Sequence, residues 1–288
     1  MDLLYLILRA FIQGSIYALA SIGLSLQWGV LRNLNFSHGA AITFGAYIVW
    51  FSLESLGFTY LFAFIAMLLA SFVLGIAIEW LTVKPFFAKN DTNIFIATVA
   101  LSSIMAQVYH IVFGGRQKFM RPLVDQLIKI GPLQATVQEL LTILITAFTL
   151  VVLWFILQRT KTGRSIRAVS QDQVGAILSG INTRRVYSTT LGVATMLAGI
   201  AGMLLGPIYF VSPHMGESPM VKAFIIVILG GLGSLKGTVI AAFIVAMVEV
   251  LVGRYIGVTW APMMLFIIMI MILIFRPQGL FGVSNRKA

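Results

Sequence analysis

Apolar residues run along this chain in long, nearly continuous stretches, interrupted at intervals by short polar or glycine-rich segments. The runs lie near Leu3–Leu26, Gly39–Leu53, Tyr60–Leu81, Ile94–Phe113, Leu140–Leu157, Val186–Phe210, Val221–Leu229, Thr238–Val252 and Pro262–Phe275. A hydrocarbon core of roughly 30 Å takes about 20 mostly apolar residues as a helix, so the pattern predicts nine crossings within a range of eight to ten. Backbone groups in lipid must be satisfied within each segment, and runs of this kind satisfy them as helices rather than as alternating barrel strands. The predicted fold is therefore all-α, a polytopic helical membrane bundle. Gly39–Leu53 and Val221–Leu229 are short for a full crossing and border polar or glycine-rich breaks, which marks them as broken spans.

One interruption differs from the others. Arg159 to Arg185 is basic and weakly apolar, and it separates two membrane-like halves. Within it, apolar residues at 166, 169, 174, 177, 178 and 181 predict one face of a single helix, with Arg164, Arg167, Gln171 and Asp172 on the other. A cytoplasmic docking element, a surface helix on anionic lipid and an ordinary loop all fit this pattern.

Composition supports the class: 59% of the 288 residues are hydrophobic and 10% charged, a balance foreign to soluble domains. The formal charge of +11 reports orientation rather than nucleic-acid binding. With the central segment cytoplasmic, its Arg159, Lys161, Arg164, Arg167, Arg184 and Arg185 share a side with Arg32, Lys84, Lys89, Lys236, Arg276, Arg286 and Lys287, thirteen of the 20 basic residues. Arg116, Lys118, Arg121 and Lys129 fall in a longer outer loop. This places the N-terminus outside and the C-terminus inside. The N-terminus carries no basic n-region or small-residue cleavage site, so Leu3 onward is read as a retained span. Absence of cysteine removes disulfides and thiolate metal sites.

Two stretches, Leu3–Leu81 and Val186–Phe275, share a plan of long span, break, short span and further full span, which raises an internal repeat. The chain is otherwise read as one domain over residues 1–288.

The first break, Gly29 to Gly39, sets Arg32, Asn33, Asn35, Ser37 and His38 between apolar runs. It is either a gate or path wall, or a broken helix whose side chains cap freed backbone groups. His38 lacks the spacing of a metal site. The second break, Gly230-Gly231-Leu232-Gly233-Ser234-Leu235-Lys236-Gly237, is not a Walker phosphate loop, because Lys236 precedes Gly237. Its glycines break a membrane helix, and Ala198, Gly202 and Gly206 form a small-residue packing stripe. Glu249 is the most deeply placed acidic residue. Arg254, five residues on, is not on its helix face, so Glu249 is either a path residue or an anchor. No GxSxG elbow, cysteine nucleophile or carboxylate pair at metal spacing appears.

Taken in order, Asn35-Phe36-Ser37-His38-Gly39 with Gly45-Ala46-Tyr47, Gly163-Arg164 through Gly180-Ile181, Ala223-Phe224 with Gly230 to Gly237, Glu249, and Arg276-Pro277-Gln278-Gly279-Leu280-Phe281-Gly282 resemble the permease subunits of branched-chain amino acid ABC importers, of the LivH type. Urea permeases share these landmarks. The resemblance implies a non-enzymatic half-pore in the inner membrane, partnered by a LivM-like second permease, two cytoplasmic ATP-binding subunits and an extracytoplasmic solute-binding protein, with no cofactor. It implies that Arg159–Arg185 holds the coupling helix, with Arg164, Arg167, Gln171, Asp172, Gly175 and Gly180 facing the ATPase. Asn35, Ser37, His38, Gly230, Gly231, Gly233, Ser234 and Glu249 are the implied path or gate residues. A self-contained carrier or channel is the competing class, favoured by the broken spans and Glu249.

Overall fold

The computed structural model describes residues 2–86, 91–130 and 133–282. Lys89, Arg286 and Lys287, used above for sidedness, lie outside the described residues. The chain forms α1 (Asp2–Leu31), α2 (Ser37–Glu54), α3 (Tyr60–Ile78), α4 (Asp91–Phe113), α5 (Val137–Arg159), α6 (Lys161–Gln171), α7 (Gln173–Leu178), α8 (Thr183–Tyr209), α9 (Glu217–Gly230), α10 (Leu235–Tyr255) and α11 (Ala261–Phe275). Seven of these, α1, α3, α4, α5, α8, α10 and α11, are long and apolar enough to cross a membrane. The two short runs form α2 and α9, of 18 and 14 residues, and are not among those seven. Among the described residues, the expected nine crossings resolve into seven helices of spanning length and two short helices packed among them.

Local chemistry sets the ends. Thr136 starts α5 with a capping box, its hydroxyl accepting from the Glu139 amide while the Glu139 carboxylate accepts from the Thr136 amide. That satisfies two backbone donors a helix start otherwise leaves open. A longer outer loop is predicted from the sequence before α5. It contains a small antiparallel hairpin, β1 (Leu127–Ile130) against β2 (Leu133–Thr136), with Leu127 opposite Thr136 and Ile128 opposite Ala135.

The central helix is α8, whose most apolar stretch is 78% buried against 11% for the peripheral α11. Its small residues explain the difference, because they let other backbones approach. A side chain at Gly202 would strike the Ile42 carbonyl of α2, so the stripe on α8 is a packing surface, as read from the sequence.

The first break turns the chain back into the bundle. His38, at the start of α2, hydrogen-bonds the Ala20 carbonyl. That carbonyl is eleven residues before the end of α1, or about 16 Å back along the helix. Gly216, which precedes α9, packs directly on Gly39 and donates its amide to the Thr43 hydroxyl at 3.0 Å. The starts of α2 and α9 therefore meet near mid-depth. From there α2 runs to the end of the bundle where Arg121 pairs with Glu54. The other short helix, α9, runs to the opposite end, where Gly233 lies against Gly29 near the close of α1. Packing follows the same inverted plan: α1 lies on α10 as α8 lies on α3, and α1 lies on α9 as α8 lies on α2. The recurring pairing spans α1–α3 and α8–α10, so it leaves out α11, which the Val186–Phe275 stretch of the sequence reading included, and its second break lies before Glu217 rather than at Gly230–Gly237.

The Arg159–Arg185 segment departs from expectation. It is two helices, broken at Asp172, whose backbone is extended (φ −147°, ψ 106°). Aspartate at this position starts a new helix by accepting from the Val174 amide at 3.0 Å, a strong N-cap preference. The break divides the expected apolar face. Ile166 and Val169 turn into the bundle, whereas Val174, Ile177 and Leu178 are 67%, 51% and 83% exposed.

Candidate functional site

At the first break, the structure brings Asn35, Ser37 and His38 together, all buried. The Asn35 side-chain oxygen accepts from the Ser37 amide (3.0 Å) and hydroxyl (2.5 Å), an Asx turn that launches α2. Because the Ala20 carbonyl only accepts, His38 Nε2 carries the proton of their 2.9 Å contact, and Nδ1 accepts from Gln27 Nε2 at 3.3 Å. His38 thus anchors α2 to α1, while Ser37 closes the turn with Asn35. Asn35 is different: its amide nitrogen is buried without a partner among the described residues. It lines a cavity of about 160 Å³ that also touches Asn33, Thr98, Tyr187 and Gln173 of α7.

At the second break, Gly230, Gly231, Gly233 and Ser234 form a tight turn. Gly231 and Gly233 have φ of +98° and +81°, conformations that cost other residues dearly. Ser234 caps α10 through Gly237. The C-terminal tail closes over the turn, Leu280 and Phe281 donating their amides to the Leu229 and Gly230 carbonyls at 2.8 and 3.2 Å. This is a packed junction, and its residues line none of the clefts described here.

Glu249 has a cation partner that the sequence reading missed. Lys222 Nζ of α9 donates to Glu249 Oε1 and to the Tyr17 hydroxyl, both at 2.6 Å; Tyr17 in turn donates to Glu249 Oε2 at 2.7 Å. Gln13 donates to the same hydroxyl at 2.6 Å. The ammonium also sits 5.0 Å from the centre of the Tyr17 ring. Lys222 and Glu249 side chains are 18% and 16% exposed, and that exposure opens onto a cleft of about 550 Å³. One and two turns nearer the start of α1, Gln13 and Arg9 line the same cleft, and Arg9 pairs with Glu139 of α5. A carboxylate at membrane depth requires a partner. Lys222, the one basic residue of α9, was the available signal.

In the Arg159–Arg185 segment, Arg164, Gln171 and Asp172 are exposed. Arg167 is tied back to α5, donating to the Leu157 carbonyl and to Gln158 Oε1. Gly175 sits against the Asp172 carboxylate, where a side chain would collide. Gly180 turns the chain toward α8 with φ +79°.

The backbone resembles one chain of a solved structure titled PsaBC from Streptococcus pneumoniae in complex with Fab, with a TM-score of 0.54 over 94% of this chain and 91% of that one, at 13% identity. Among curated proteins, the high-affinity branched-chain amino acid transport system permease protein LivH of Escherichia coli is 26% identical over 93% of this chain and 92% of that protein. BraD of Pseudomonas aeruginosa, a permease protein of the same description, is 27% identical over the same shares. Residues 6–274 match the family described as the branched-chain amino acid transport system permease component. With that match spanning nearly the whole bundle, the short helices and the Arg159–Arg185 segment included, the chain belongs to the branched-chain amino acid transport permease family.

Proposed function

We propose that this permease forms half of the translocation path of an ATP-driven importer for branched-chain or related amino acids. Its partners in this reading are a second, LivM-like permease, two cytoplasmic ATP-binding subunits and an extracytoplasmic solute-binding protein, within a lipid bilayer. The chain acts as one transmembrane domain over residues 1–288. A permease subunit is not itself an enzyme, and ATP hydrolysis falls to the partners.

The observation that carries this reading is the exposed apolar tip of α7. Val174, Ile177 and Leu178 stand out beside Arg164 and Gln171, outside every spanning helix and at the end of the bundle where α1 closes. Clustered apolar exposure of this kind marks a protein contact, and a self-contained carrier has no need of it. Sidedness follows: α7, Arg32, Lys84, Lys236 and Arg276 face the cytoplasm, with the N-terminus outside and the C-terminus inside.

Asn35 and Gln173 border one cavity, so displacement of α7 by the ATPases reaches the start of α2 directly. In this reading Asn35, Ser37 and His38 form the hinge of the path. The Gly230–Ser234 turn is the corresponding fixed point of α9, and Glu249 lines the path. Two arrangements of α2 and α9 about their mid-depth contact supply the two states of the pore.

The test is the tip. Burying an Ile or Leu side chain is worth about 2 kcal/mol, so Ile177→Asp with Leu178→Asp should weaken ATPase association more than tenfold, read as copurification from membranes. Reversing Arg164 to Glu should weaken it less. Full copurification and transport in the double variant would contradict the reading.

A further inference from the structure

We propose that the cleft bounded by Arg9, Tyr17, Lys222 and Glu249 is a binding site for a zwitterionic amino acid, the solute carboxylate meeting Lys222 and its ammonium meeting Glu249. The inference rests on the import reading above and adds a specificity-bearing site within the membrane chain.

Depth gives the first argument. Glu249 lies six residues before the end of α10, about 9 Å along the helix. Lys222 lies on α9, whose start is at mid-depth. Ionised groups in such surroundings mark substrate pathways when they face a cavity, and both face the 550 Å³ cleft.

Charge gives the second. Among the described hydrogen bonds, the ammonium of Lys222 uses two of its protons, on Glu249 and Tyr17, which leaves one for an incoming acceptor. The pair is internally neutral. A solute carrying only a carboxylate, or only an ammonium, leaves an uncompensated charge in a low-dielectric cleft. A zwitterion instead exchanges one ion pair for two and leaves the site neutral. Arg9 with Glu139 repeats the mixed pair nearer the start of α1, giving a solute a second matched station on the way in.

Shape gives the third. The cleft falls within the 300–1,000 Å³ typical of small-molecule sites, about right for a small solute. Its other walls include Leu6, Leu205, Met215, Pro219 and Val250, an apolar lining suited to an aliphatic side chain. Tyr5, Ser212 and Val258 border it at the end opposite α7, where a solute arriving from outside enters.

The chain contains no cysteine, and Ser218 is an exposed residue on the cleft, so Ser218→Cys provides a single thiol on this subunit. The assembled importer carrying it is placed in proteoliposomes with its binding protein and ATP, and maleimide labelling of this chain is timed. L-leucine is expected to slow labelling at least fivefold. At equal concentration 3-methylbutylamine and 4-methylpentanoate, each lacking one charge, are expected to leave the rate within twofold. Adding Lys222→Met should abolish protection; should that variant fail to assemble, the three-ligand comparison on the intact pair decides alone. Unprotected labelling in vesicles that import leucine, or equal protection by the amine or the acid, would overturn the site. Failure of the unsubstituted importer to take up leucine faults the import reading instead, and protection in the same vesicles still decides the site.

Discussion

Lys222 and Glu249 show how much a single partner matters at membrane depth. Each is tolerated because the other neutralises it and the Tyr17 hydroxyl bridges the two. Glu249→Leu leaves a lone ammonium and is expected to cost about 3–5 kcal/mol, seen as a large drop in the detergent melting temperature of the purified complex. Lys222→Met combined with Glu249→Leu should recover most of that stability, while transport stays lost. Recovery of transport as well would show the pair to be structural. At Gly216 the argument is steric: an added methyl would lie 1.9 Å from the Gly39 carbonyl. Gly216→Ala is therefore expected to push the starts of α2 and α9 apart at a cost of about 1–3 kcal/mol, detected by the same melting measurement. Glu249 was legible in the sequence as a deep carboxylate. Lys222, 27 residues away, was not tied to it, because that pairing is made through space by α9 folding back along α10.

At the scale of elements, most of the bundle was legible because lipid imposes long apolar runs, and those runs coincide with the helices to within a few residues. The Arg159–Arg185 segment was harder. Its apolar positions fit one helix on paper, but Asp172 offers the backbone a cap and ends that helix before Val174. Periodicity alone does not reveal such a break. Asp172→Ala is expected to lose about 1 kcal/mol of cap energy, loosening α7 and weakening ATPase association severalfold. Asp172→Asn keeps a good cap and should retain association; a loss of equal size in both variants would assign the role to the charge. The first break fits both a gate and a capped helix in sequence, and the structure gives its residues different surroundings. His38 anchors α2 to α1 and Ser37 closes the turn before it, whereas Asn35 faces a cavity shared with α7.

Across the whole molecule, the inverted arrangement of α1–α3 and α8–α10 sets two short helices head to head at mid-depth, with the Arg159–Arg185 segment at one end and the mouth of the charged cleft toward the other. In the proposed reading, motion delivered at α7 has a short route to that mid-depth contact. The family signature was carried by scattered glycine and polar landmarks that the fold gathers into hinges, caps and tight junctions, so their order along the chain was readable before their roles were. The central claim is that this subunit is half of an ATP-driven pore. Purifying the tagged chain from its native membrane in mild detergent, followed by mass spectrometry of what accompanies it, tests that claim most directly. The account requires a second permease and ATP-binding subunits in fixed proportion; repeated recovery of the chain alone, intact and able to move amino acids in proteoliposomes without ATP, would contradict it.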